Sequence, residues 1–104
     1  MERVGNKTVR SGLGWSVEVP SIHEVKYFEG NKSLTLEIEG GRDKSGIHWY
    51  IYQPSVWVWD GNADNPLLDD KEIQSVKKRI REALPVLDMT IKEFTQQKAP
   101  PDRR

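Results

Sequence analysis

Two histidines, sixteen carboxylates and a cluster of aromatic rings are the side chains of this 104-residue chain with chemical potential. His23 and His48 stand alone, each in a strand-like run. A metal site would need both to converge with a carboxylate such as Glu24 or Glu37. Nothing in the spacing selects that set, so no metal is expected. No cysteine is present, which removes thiolate nucleophiles, disulfides and cysteine-ligated zinc. No Gly-x-Ser-x-Gly element occurs, and the serines have no base nearby in sequence. Gly12-Leu13-Gly14 precedes a strand, so its N–H groups gain nothing from a helix N-terminus. The carboxylates are many, but nothing singles out an acid–base pair. The expectation is a protein without catalysis and without a cofactor.

The aromatic cluster is the informative feature. Seven of the nine rings fall between Tyr27 and Trp59, with Trp49, Tyr50, Tyr52, Trp57 and Trp59 close together. A sheet has two faces, and one helix covers only one of them. The aliphatic sets Leu34/Leu36/Ile38 and Ile47/Trp49/Ile51 suit the helix side. Tyr50, Tyr52, Trp57 and Trp59 then crowd the opposite face or its edge. There they either pack on one another as cross-strand pairs or present an amphipathic patch to a partner. The second reading makes Tyr50, Tyr52, Trp57 and Trp59, with Asp60 and Asp64, the candidate protein interface. It also predicts that Trp59→Ala weakens binding without unfolding the domain. A stacking platform for bases would carry flanking Lys or Arg; here the neighbours are His48, Gln53 and Asp60.

These residues need elements to hold them. Trp15, Val17 and Val19 alternate with Ser16 and Glu18, the period of a half-buried strand that Pro20 should stop. Ile22–Glu29 and the alternating Leu34, Leu36 and Ile38 read as a hairpin across Gly30-Asn31. Residues 40–46 read as a flexible connection, Ile47–Gln53 as a strand and Val56–Asp60 as a short one. After a loop at residues 61–66, Asp69 caps a helix, with Glu72 completing a capping box. Ile73, Val76, Ile80, Ala83 and Leu84 form its buried stripe, and Pro85 should end or kink it. A returning strand is placed over Met89–Phe94. The fold class is α+β: a mainly antiparallel sheet of four to six strands with one amphipathic helix on one face. Residues 1–14 are expected as a loose arm with one short strand near Thr8–Arg10, 15–95 as one domain and 96–104 as a disordered tail.

Sixteen basic side chains balance sixteen acidic ones. Zero net charge argues against a general nucleic-acid binder, which needs surplus cations. No apolar stretch is long enough to span a membrane, and the N-terminus lacks the apolar core of a signal peptide. A cytoplasmic location is the expectation.

Tyr27-Phe28-Glu29-Gly30, the hairpin after it, Ser55-Val56-Trp57-Val58-Trp59, the Pro66 loop and the helix capped by Asp69 together resemble the immunity protein 74 family. The likeness covers roughly residues 22 to 84. It implies a small bacterial α+β protein that neutralises a polymorphic toxin by binding it, without catalysis. The partner is then a protein. The family offers no binding residues to carry over, and the sequence's own candidates are Trp57 and Trp59 as anchors, with the acidic stretch from Asp60 to Glu72 facing a basic toxin site. The alternative is a structural domain that self-associates through an edge strand, Val56–Trp59 or Met89–Phe94. A small enzyme with a pocket between sheet and helix is the third reading.

Overall fold

The computed structural model describes residues 1–44, 46–61 and 66–95. Seven strands lie side by side in chain order: β1 (Glu2–Val4), β2 (Thr8–Arg10), β3 (Trp15–Ser21), β4 (Glu24–Glu29), β5 (Lys32–Asp43), β6 (Gly46–Tyr52) and β7 (Ile91–Thr95). The first six form an antiparallel meander, and β7 joins β6 in parallel. A parallel return needs a crossover, and the single helix α1 (Asp70–Ala83) supplies it. The class is thus a sheet-dominated α+β fold, with more strands than the four to six expected.

The alternation puts one parity of each strand into the core. Val9, Val17, Tyr27, Leu34, Ile38 and Ile51 are fully buried or nearly so, and the cross-strand pairs Val9↔Val17, Val17↔Tyr27, Tyr27↔Leu34 and Ile38↔Ile51 run them across the sheet. Val76, Ile80 and Ala83 of α1 close the core from above. Ile47 is half exposed, so of the expected Ile47/Trp49/Ile51 set only Ile51 is fully enclosed and Trp49 partly so.

Three expectations change. Residues 1–14, read as a loose arm with a short strand near Thr8–Arg10, carry that strand as β2 and a further one, β1, and both are joined to the sheet. Val9 is wholly buried, Val19 N–H donates to Lys7 O at 2.8 Å, and Arg3 reaches Asp88 at 3.3 Å beyond the helix. Pro20 does not stop β3. It sits within a register shift between Glu18 and Ser21, where a strand tolerates a missing donor. The connection expected at residues 40–46 is mostly strand, since β5 continues to Asp43. A Cβ at Gly40 would stand 3.2 Å from the Trp49 ring, and one at Gly41 would stand 3.1 Å from Tyr50. The rings of β6 lie over these glycines and supply the cover that their own side chains lack. The expected tail, 96–104, lies outside the described residues.

The hairpin between β4 and β5 turns on Gly30-Asn31 alone, with Glu29 paired to Lys32. Gly30 takes φ 62° while Asn31 keeps a negative φ, the II′ pattern that matches strand twist.

The helix starts as its sequence directs. Glu72 N–H donates to Asp69 Oδ1 at 2.8 Å, and Asp69 N–H donates to Glu72 Oε1 at 3.0 Å. Pro85 converts the last turn into a 3₁₀ turn over Leu84–Leu87, which Asp88 ends with φ 63°. Asp69→Ala removes one half of the reciprocal cap. The expected cost is about 1 kcal/mol of unfolding free energy, read from urea titration by circular dichroism.

Candidate interaction surface

The segment between β6 and α1 positions most of the candidate residues. Its two limbs clasp through an isolated antiparallel bridge, Val58↔Leu67. Trp59 N–H donates to Pro66 O at 2.7 Å, and Leu68 N–H donates to Trp57 O at 3.1 Å. A third tie runs to the sheet: Asp60 N–H donates to Ser33 O at 2.7 Å, and Thr35 Oγ1 donates to Asp60 Oδ2 at 3.0 Å. Val56–Asp60, expected as a strand of the sheet, is therefore one limb of a clasped loop beside β5.

Within the clasp the alternation has a definite sense. Trp57, Trp59 and Leu68 point inward and are 9, 3 and 8 % exposed; Val56, Val58 and Leu67 point outward and are 56, 43 and 57 % exposed. Trp59 stacks on Tyr27 at 6.2 Å, Tyr27 stacks in turn on Trp15 at 6.2 Å, and the Lys32 ammonium stands 4.9 Å from the Trp59 ring. The larger rings take the core because they remove more apolar area from water than valine does.

Of the sequence candidates, Trp57, Trp59 and Tyr52 are thus core residues rather than exposed anchors. Tyr52 donates its hydroxyl to Glu39, and Tyr50 is half-buried across Gly41. Asp60 is exposed and holds the loop to β5. Asp64 lies outside the described residues. Tyr50 and Tyr52 sit in β6 and the tryptophans in the loop that follows, so the four rings do not form one surface. His23 is in the β3–β4 turn and His48 in β6, and no group of three His, Asp or Glu among the described residues is arranged around a metal position.

What the sequence missed is the outward parity of the same loop. Val56, Val58 and Leu67 form an exposed aliphatic ridge. The acidic side chains Asp60, Asp69 and Asp70 are exposed along the same stretch of chain. Residues 53–70 contain four aspartates and no Lys or Arg. The signal was present as valine alternating with tryptophan, but parity alone does not say which set faces water.

A second missed cluster joins helix to sheet. Arg79 Nη1 donates to Tyr27 Oη at 2.6 Å and to Glu29 Oε1 at 3.2 Å, while Tyr27 Oη donates to Glu29 Oε1 at 2.7 Å. The guanidinium also lies 5.5 Å from the Trp15 ring. Burial, then the hydrogen bond to Glu29, push the Tyr27 hydroxyl up to about 12, with Arg79 acting in the opposite direction. Arg79 belongs to the basic run Lys77, Lys78, Arg79 and Arg81, whose charge alone would place it on a solvated helix face. It follows Val76 by three residues and precedes Ile80, so it borders the buried stripe and reaches over it.

No helix among the described residues is long and apolar enough to cross a membrane. No family model, curated protein or solved structure matches the chain.

Proposed function

We propose that the protein is a non-catalytic protein-binding module whose contact surface is the clasped loop between β6 and α1. The observation that carries this reading is the exposed ridge of Val56, Val58 and Leu67, held by the Val58↔Leu67 bridge over a core of tryptophan. Three aliphatic side chains on ordered backbone lose little conformational freedom on binding. The exposed carboxylates of Asp60, Asp69 and Asp70 along this stretch favour a basic partner surface, and they speed encounter with it. A toxin with a basic active surface is such a partner. The resemblance of residues 22 to 84 to immunity proteins supports that identity, and with it a bacterial, cytoplasmic setting.

Self-association is the alternative. The Val56–Trp59 edge is already engaged by Leu67 and Pro66, and β7 carries exposed Lys92 and Glu93, charges that oppose edge-to-edge pairing of copies.

The test is capture of a partner by the tagged protein, followed by titration of the purified pair. Val58→Thr with Leu67→Thr should keep the parent circular dichroism, since both sites are exposed, threonine suits the extended bridge and each change costs roughly 0.5 kcal/mol. It should raise Kd about 100-fold, the size of losing central apolar contacts. Binding should also weaken as salt rises. A folded variant that binds as the parent does rejects the ridge, and recovery of a second copy alone supports the self-association reading.

A further inference from the structure

The sheet ends on β7, and no described strand pairs with its outer edge. A groove of about 410 Å³ lies between the start of this strand and the end of α1. Arg81 and Pro85 line it from the helix side, and Thr90, Ile91 and Lys92 from the strand side. Ligand clefts run from roughly 300 to 1,000 Å³, so the groove has room for a side chain and its neighbours. Pro85 and the half-buried Ile91 make its apolar part, while Arg81 and Lys92 are exposed cations on opposite walls. No ion pair joins either cation to another described residue, and the Arg81 guanidinium lies 4.9 Å from the Phe94 ring, which holds it beside β7 with its charge unneutralised.

A helix C-terminus by itself accounts for Arg81, since a cation complements the dipole there. It does not account for Lys92, which stands on the facing strand. Lysine on an edge strand guards against pairing. Glu93 follows Lys92 on the same edge, but among the described residues the groove is lined by the two cations and by no carboxylate, so the groove itself favours an acidic side chain.

We propose that the outer edge of β7 takes an extended acidic peptide of a protein partner as an eighth strand, with a carboxylate held between Arg81 and Lys92. The β7 backbone gives the hydrogen bonds of strand addition, and the groove selects the side chain. The carboxylate enters with its stem on Pro85 and Ile91 and its oxygens between the two cations. The surface uses none of the ridge residues, so it stands or falls independently of the ridge.

The probe is a fluorescein-labelled peptide of about six residues, an ordinary strand length, alternating glutamate and valine. Two controls accompany it: the same peptide with lysine for glutamate, and the glutamate peptide methylated on alternate backbone nitrogens. Anisotropy titrations with the full chain should show the glutamate peptide binding at least about tenfold tighter than either control, the scale of one charge-assisted hydrogen bond. Arg81→Glu with Lys92→Glu should invert the preference, so that the variant takes the lysine peptide over the glutamate one. Loss of fold cannot produce an inversion. The proposal is overturned by absence of binding at millimolar peptide, by equal binding of the methylated peptide, or by an unchanged preference in the double variant.

Discussion

Trp59→Ala should cost about 3–5 kcal/mol of unfolding free energy, the range for removing a buried indole. A chain of this size has a total of about 5–15 kcal/mol, so the variant is unfolded in large part or melts far below the parent. The ring is 3 % exposed and forms the end of a stack with Tyr27 and Trp15. The surrounding backbone is pinned by the Trp59–Pro66 and Asp60–Ser33 hydrogen bonds, so the cavity cannot collapse. Lys32 also loses the π-face beneath its ammonium. Guanidinium titration followed by circular dichroism reads the effect. Val58→Ala is the control: its neighbouring side chain is 43 % exposed, and its cost should stay near 0.5 kcal/mol. Equal stability of parent and Trp59→Ala would remove Trp59 from the core. That outcome would restore the reading in which the ring is an exposed anchor.

The second large effect is alkaline. Tyr27 Oη is held neutral in the folded protein up to about 12, against 10.0 for an unperturbed tyrosine. In the unfolded chain the hydroxyl ionises first, so unfolding releases a proton between those two values. The stabilisation that Tyr27 provides is therefore complete below pH 10 and declines as pH rises towards 12. Two units correspond to about 2.7 kcal/mol at the end of the window, and near pH 11.5 the loss is about 2 kcal/mol. Tyr27→Phe lacks the ionisation. It should be less stable than the parent at pH 8, because Glu29 and Arg79 lose their shared partner by about 1–2 kcal/mol. Between pH 9 and 11.5 it should then lose about 2 kcal/mol less than the parent does. Urea unfolding at the two pH values measures the difference, and absorbance at the tyrosinate band shows one late ionisation missing in the variant. Parallel pH profiles for parent and variant would contradict the buried, hydrogen-bonded hydroxyl.

Where the determinants are local, the sequence was legible. The helix from Asp70 to Ala83 follows from an aspartate cap, a glutamate three residues later and an apolar stripe, all within its own span. The β4–β5 hairpin follows from alternation on both sides of Gly30-Asn31. Where the determinants are remote, it was not. β1 has three residues, too few for a period, and although a short strand is expected at β2, the burial of its Val9 comes from β3 and the 3₁₀ turn rather than from any feature of its own segment. Gly40 and Gly41 look like a connection because the rings that cover them belong to β6. The candidate site failed in part for the same reason. Valine and tryptophan alternate plainly from Val56 to Trp59, but their sense is set by Pro66, Leu67 and Leu68 across the clasp. Asp60 remains at the surface as expected, and Val56, Val58 and Leu67 face outward because the rings and Leu68 take the inner side of the clasp.

The order of the strands also bears on how the chain folds. Every pairing from β1 to β6 joins sequence neighbours, so each closes a short loop and forms without waiting for a distant segment. Only the β6–β7 junction demands that residues 53–90 be traversed first. The entropy of ordering is therefore spread thinly over the meander and concentrated at that one seam. A meander already assembled gives α1 a surface to dock on, and β7 then settles beside β6 as the helix binds. Hydrogen exchange in native conditions should accordingly show β3 to β5 opening last, with the exposed β1 fraying first and β7 opening as a separate unit before the meander's centre. The strand that completes the sheet is joined to it by one seam formed late, which leaves the parallel edge as a natural place for the sheet to be opened or joined to another strand.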